Sequence, residues 1–306
     1  MTAELLIPLM AAAIQSGTPI LFATLGEILT ERSGILNLGV EGMMIVGALA
    51  GFMTAKATGN PWLGFAASGA AGLMISAFHG TVCIGFLGNQ VVSGLALTLF
   101  GTGLANYFGT PLIGQTAPGF GPAILPVLGQ IPILGPTLFR QDPLVYVSLL
   151  LAPLLWILLQ RTRWGLELRA AGEHPDAALA AGVPVGLYRW AGVLSGGFLV
   201  GLGGGYLSLA YTHLWTNGLS AGRGWIAVAL VIFAFWRPGR AILGAYFFGG
   251  VMAFQLRLQA SGTHLPSSLL LMLPYGLTIL VLVFSSWWGR GSNAPEALGT
   301  NVEPSD

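Results

Sequence analysis

Few residues in this sequence could do chemistry. The most suggestive group is Gly218-Leu219-Ser220-Ala221-Gly222, which matches the G-x-S-x-G nucleophile elbow. That elbow needs a strand-to-helix turn, followed along the chain by an acid and then a histidine. No Asp or Glu occurs between Ser220 and Glu296, so the one hydrolytic arrangement left is a Ser220–His264 dyad. Set against it is a glycine-rich helix break that contains a serine. His79, His174, His213 and His264 lie tens of residues apart and none sits in an H-E-x-x-H, which excludes a zinc hydrolase. Lys56, the only lysine, is not preceded by glycine, so there is no G-x-x-x-x-G-K-[ST] loop to cradle ATP phosphates. Cys83 is alone, which excludes an internal disulfide framework and a multi-cysteine metal cluster.

More informative is the stretch GEILTERSGILNLGVEGMM at 26–44, which carries Asn37 and Glu41 into apolar sequence. Four residues apart, they share one face of a helix. A carboxylate within a membrane span is costly and faces the bundle interior or a watery cavity. Two readings stay open: a lining of a translocation path, or a buried anchor satisfied by backbone donors or Arg32.

The elements that must hold these residues are membrane helices. Of 306 residues, 54% are hydrophobic and 8% charged, with a mean hydropathy of +0.77. Soluble domains carry about 25% charged residues, so a water-soluble globule is excluded. The net charge of +1 leaves no basic face for nucleic acid. A crossing takes roughly 20 apolar residues. Nine segments meet or approach that: about 5–25, 35–55, 62–87, 91–110, 143–160, 190–211, 219–236, 241–258 and 267–285. The expected fold is an all-α polytopic bundle over 1–288, with broken helices near 34–42 and 217–225. Gly222, Arg223 and Gly224 interrupt the start of the seventh segment, so a re-entrant helix suits it as well as a full crossing. The tail 289–306 is polar, rich in Gly, Pro and Ser, and expected to be disordered.

Orientation follows from the arginines. Placing the 161–189 loop in the cytoplasm puts Arg32, Arg161, Arg163, Arg169, Arg189, Arg237, Arg240 and Arg290 inside. Lys56, Arg140, Arg223 and Arg257 remain outside or near that face. The N-terminus is then out and the C-terminus in, and the proline-rich loop 111–142 forms an irregular external cap. Small residues recur every fourth position at Gly64, Ser68, Gly72, Ser76 and Gly80, and again at Gly197, Gly201 and Gly205. Such stripes let helix backbones approach closely.

In the 161–189 loop, Pro175 suits the first turn of a helix and Asp176 complements the positive end of its dipole. Alanines follow, and Gly182 fits the left-handed residue that ends it. A helix of about two turns is unstable alone in water. It must dock, on its own membrane domain or in a partner's groove.

On GEILTERSGILNLGVEGMM at 26–44, NQVVSGLAL at 89–97, RAAGEHPDAALAAGVPV at 169–185 and GRGWIAVALVIFAFWRP at 222–238, the chain resembles the permease subunit of a bacterial ATP-binding-cassette importer. The similarity is to the nucleoside and simple-sugar branch, related to branched-chain amino-acid and ribose permeases, and it runs along most of 5–285. The resemblance implies a subunit without ATPase or cofactor of its own, set in the inner membrane. Its partners would be an ATP-binding subunit, a second permease that is a related chain, and an extracytoplasmic substrate-binding lipoprotein. It implies a coupling helix at about 174–182, with His174, Pro175, Asp176, Ala177, Ala178, Ala181 and Gly182 at the ATPase. Asn37 and Glu41 would sit on a discontinuous second helix near the path, opposite a half-helix beginning at 217–225. Few intramembrane charges suit a neutral polar substrate, for which Asn37, Thr98, Asn217 and Trp225, with Trp215, could supply hydrogen bonds and stacking. The chain departs from the family pattern at His174, where asparagine is usual, at Thr98, also usually asparagine, and at Ala234 and Phe235, where glycine and a small residue are usual. A secondary transporter or channel working alone is the rival reading, since broken helices and midplane polar residues occur there too.

Overall fold

The computed structural model describes residues 3–124, 126, 128–262, 266–288 and 294–302. In chain order its helices are α1 (Ala3–Arg32), α2 (Val40–Thr58), α3 (Pro61–Gly80), α4 (Gln90–Gly109), α5 (Leu134–Leu138), α6 (Pro143–Arg161) and α7 (Arg163–Glu173). They continue as α8 (Pro175–Ala180), α9 (Val185–Tyr206), α10 (Arg223–Phe233), α11 (Pro238–Ala260), α12 (Ser267–Leu271) and α13 (Leu273–Trp288). The only paired strands among the described residues are β1 (Ala123–Ile124) and β2 (Arg140–Gln141), an antiparallel pair within the proline-rich loop.

Among the described residues, seven helices are long and apolar enough to cross a membrane: α1, α2, α3, α4, α6, α9 and α11. The remaining two expected crossings are shorter apolar helices, Arg223–Phe233 and Ser267–Val281. At about 1.5 Å per residue α10 rises roughly 16 Å, half the hydrocarbon thickness. The segment expected at 219–236 is therefore not a full helical crossing, because three glycines and Arg223 delay its start.

The two small-residue stripes meet each other. A Cβ on Gly72 would stand 2.2 Å from the Gly197 carbonyl oxygen, and one on Gly201 equally close, 2.2 Å, to that of Ser68. The stripes are the packing seam of α3 on α9, where backbones touch without side chains between them.

Two crossings are discontinuous. After α1, residues 33–39 run without helix up the bundle interior: the Leu36 N–H donates to Gln90 Oε1 at 2.7 Å and Thr98 donates to the Leu38 carbonyl at 2.9 Å. Thr98 lies eight residues beyond Gln90, about 12 Å into the bundle. Only there does the chain coil into α2. After α9, residues 212–222 return from the opposite end, pinned by the Thr116–Leu214 bridge, and coil into α10. The full-length α2 and the half-helix α10 thus begin in the bundle interior and run towards opposite ends, N-terminus to N-terminus.

The tail expected to be disordered includes a placed segment, 294–302, lying on the end of the bundle that carries α8. The Ala297 N–H donates to the Gly172 carbonyl at 3.0 Å and the Gly299 N–H to that of Gly34 at 3.2 Å. Residues 289–293 and 303–306 lie outside the described residues.

Candidate functional site: the half-helix junction and the α8 segment

An α-helix begins with four backbone N–H groups lacking intrahelical partners, and in an apolar surrounding they must be satisfied by something. At the start of α10 that something is Glu41, on the first turn of α2. Its Oε1 accepts from the Ser220 hydroxyl at 2.6 Å and the Gly222 N–H at 2.9 Å; its Oε2 accepts from the Gly224 N–H at 2.7 Å. The carboxylate also meets the positive end of the α10 dipole.

The glycines make this approach possible. Gly222 adopts φ +77°, a left-handed conformation, and a Cβ on Gly224 would lie 2.5 Å from the Glu41 Cα. The serine of the nucleophile-like motif is therefore a helix-start donor to Glu41. His264, its expected dyad partner, lies outside the described residues. Beside it Arg223, 6% exposed, lays its guanidinium over the Tyr211 ring at 5.3 Å and donates to the carbonyls of Leu219 and Ser220.

The break before α2 is closed by several neighbours. Asn37 Oδ1 accepts from the Gly39 N–H at 2.9 Å, while Nδ2 donates to Glu27 Oε2 at 3.1 Å. His79 Nε2 lies 3.0 Å from the Leu36 carbonyl. Asn37, Glu41 and Thr98 thus come together around 36–41, each engaged within the protein. Trp225 stands on the first turn of α10, 37% exposed. Asn217 is apart from them, donating to Thr110 Oγ1 at 3.3 Å beyond the far end of α4.

Two residues of this site escape reading from the sequence: Glu27 and Glu31, both fully or almost fully buried in α1. Glu27 holds Asn37, and Glu31 accepts from the Trp236 indole, so this one face of α1 touches both the break before α2 and the residues just past the end of α10. Two carboxylates one turn apart in apolar sequence were the available signal.

At the end of the bundle, α7 starts on a Thr162 cap to the Gly165 N–H and α8 follows after His174. Gly182, at φ +83°, closes α8, and the Val183 N–H reaches back to the Ala178 carbonyl at 2.9 Å, a six-to-one closure of the helix end. The helix covers Pro175–Ala180, shorter than the expected 174–182. Ala178 turns inward against Ala171 and Val185, so it docks the segment on its own subunit. His174, Asp176, Ala177, Ala181 and Gly182 are exposed and Pro175 half-buried. Arg32, the last residue of α1, pairs with Glu173 at 3.2 Å. On α7, Glu167 is held below the usual carboxylate range by the Tyr188 hydroxyl and then by Arg163 at 2.7 Å.

Comparison with known proteins now applies to this geometry. Residues 9–282 match the family model described as branched-chain amino acid transport system / permease component. A putative glucose ABC transporter permease of Haloferax volcanii is 47% identical over 82% of this chain and 78% of its own length. A guanosine ABC transporter permease of Bacillus subtilis is 33% identical over 97% of this chain and 96% of its own. A nucleoside ABC transporter permease of Lactococcus lactis is 34% identical over 93% of each. No solved structure matches the chain. With a seven-helix apolar bundle, a family match across nearly its whole membrane region and relatives of that kind at these identities, the chain belongs to the family of branched-chain amino acid transport system permease components.

Proposed function

We propose that this chain is the membrane-spanning subunit of an ATP-binding-cassette importer carrying a nucleoside or a simple sugar across the inner membrane. The relatives support the solute class: the most similar are named for glucose, guanosine and nucleosides. ATP would be hydrolysed by a separate subunit docked at α8, with a second, related permease chain alongside and an extracytoplasmic lipoprotein delivering the solute. The α8 end faces the cytoplasm in this reading, and the N-terminus lies outside. The arginine pairing of Arg32 with Glu173 and the Arg161–Arg237 cleft at that end support it.

One observation carries the mechanism. Glu173, two residues before Pro175, is ion-paired to Arg32, and the chain from Arg32 leads through 33–41 directly to the half-helix junction. A push on α8 would pass to the Arg32–Glu173 pair and from Arg32 along 33–41 to Glu41. Rocking of the bundle about this junction would open the path to alternate sides. Asn37, Glu41 and Thr98 shape the constriction from within. Trp225 presents its ring to the solute, and Asn217 stands at the outer mouth.

The test is purification and transport. The chain is expected to co-elute with an ATP-binding subunit, and His174→Asp with Asp176→Lys to weaken that association. Uptake into cells should stop on ATP depletion and survive an uncoupler. Uptake that survives ATP depletion and stops with the uncoupler refutes the proposal.

A further inference from the structure

The segment 294–302 makes more connections than an incidental tail needs. It folds on itself: Leu298 N–H donates to the Pro295 carbonyl, Thr300 N–H to that of Ala297, and Gly299 takes φ +80° to close the turn. Ala297 is 8% exposed, and Ala294 and Leu298 pack against the main apolar core. Its outward bonds then reach five separate pieces of the bundle end. Gly299 bonds Gly34, at the start of the first break, and Ala297 bonds Gly172, on α7. The Glu296 N–H donates to Glu173 Oε2 at 3.2 Å, and its carboxylate lies 3.3 Å from His174 Nε2 at the head of α8. Asn301 Nδ2 donates to the carbonyls of Leu87 and Gly88, and Gln90 Nε2 donates to Asn301 Oδ1 at 3.2 Å.

The strongest link is Arg189 of α9. Its side chain is 3% exposed, and among the described residues its hydrogen bond is from Nη1 to the Thr300 carbonyl at 3.0 Å, with Nε and Nη2 unpartnered. A buried guanidinium with one tail carbonyl as its acceptor favours the docked tail strongly, because undocking leaves the charge without it. Gln90 joins the two systems, since it also accepts the Leu36 N–H of the first break.

We propose that residues 294–302 are a clasp that fastens the α8 end of the bundle shut and must release before that end can open. The clasp ties α4, α7, α8, α9 and the first break to one another, and no opening that separates them leaves its bonds intact. The proposal rests on the importer reading for its transport consequences, and on geometry alone for the docking itself.

The experiment uses the full chain assembled with its partners in proteoliposomes. Amide hydrogen exchange at Ala297 and Gly299 should be slowed about ten-fold or more in the resting complex, and the protection lost when ATP and vanadate trap the other state. Cys83 is the only cysteine and is buried. With it replaced by serine, Leu87→Cys and Val302→Cys, which line one cleft, can be bridged by a cleavable bifunctional thiol reagent. Uptake should fall by about ten-fold when the two are bridged and return on cleavage to the level of the unbridged double-cysteine protein. Ala297→Glu should expel the tail, raising ATP hydrolysis in the absence of loaded binding protein several-fold, with melting within a few degrees of the parent showing an intact fold. Amides unprotected at rest, or protection unchanged on trapping, overturn the proposal, as does a bridged complex that transports normally. If the parent complex imports nothing, the importer reading fails alone, and the exchange result still decides the clasp in either direction.

Discussion

The break before α2 and the break before α10 have the same layout, and they are closed in opposite ways. Around 33–39 the unpaired backbone is shared out among Gln90 and Thr98 of α4, His79 of α3 and Asn37 of the break itself. At the start of α10 the helix-start donors converge on one carboxylate, Glu41. Distributed closure survives the loss of a member; concentrated closure does not. In the proposed importer the first break would serve as scaffold and the second as the moving joint.

Substitutions can break or sharpen that contrast, and the largest effect belongs to Glu41→Leu. It orphans three donors at roughly 1–3 kcal/mol each, so uptake should vanish and the detergent-extracted subunit should melt well below the parent. Glu41→Gln, which keeps an acceptor, should retain part of both. If Glu41→Leu melts no lower than Asn37→Leu, the contrast is wrong. Gly224→Ala comes next: its Cβ would enter the 2.5 Å space against Glu41, and an overpacked contact costs about 1–3 kcal/mol. Uptake should drop steeply with the protein still assembled.

On the distributed side, Asn37→Leu removes the acceptor of the Gly39 N–H and the partner of Glu27, a loss of about 1–2 kcal/mol. Uptake should be reduced and still measurable, because Gln90, His79 and Thr98 remain. Thr98→Val removes one hydrogen bond, about 1 kcal/mol, and should shift melting by only a few degrees. The smallest effect has the opposite sign. Ala221 sits at φ +47° within the second break, so Ala221→Gly should raise stability by about 0.5–1 kcal/mol. A lower melting temperature would show that this residue is not strained.

What could be read from the sequence was local. The small-residue stripes of α3 and α9 follow from residues four apart, though not that they meet each other, and α8 follows from Pro175, Asp176 and Gly182 in order. A count of nine crossings treated α10 as a candidate span because its apolar run adjoins a glycine turn. The contact of Glu41 with Ser220 joins positions 179 apart in the chain, and no periodicity encodes it. Asn37 and Glu41 could be picked out as polar residues in apolar sequence, but whether they bind one another's neighbours or a solute depends on which helix ends they meet. The docking of 294–302 was equally hidden: its composition is that of a free tail, and it is held by backbone carbonyls of Gly34 and Gly172.

The convergence on Glu41 has a mechanical corollary. Three donors on one carboxylate share a single acceptor group, so a movement that draws α10 away from Glu41 takes the partner from Ser220, Gly222 and Gly224 at once. In the proposed transport cycle such a joint would act as a detent, engaged or released. A bundle with that property would spend little time ajar and leak little between strokes.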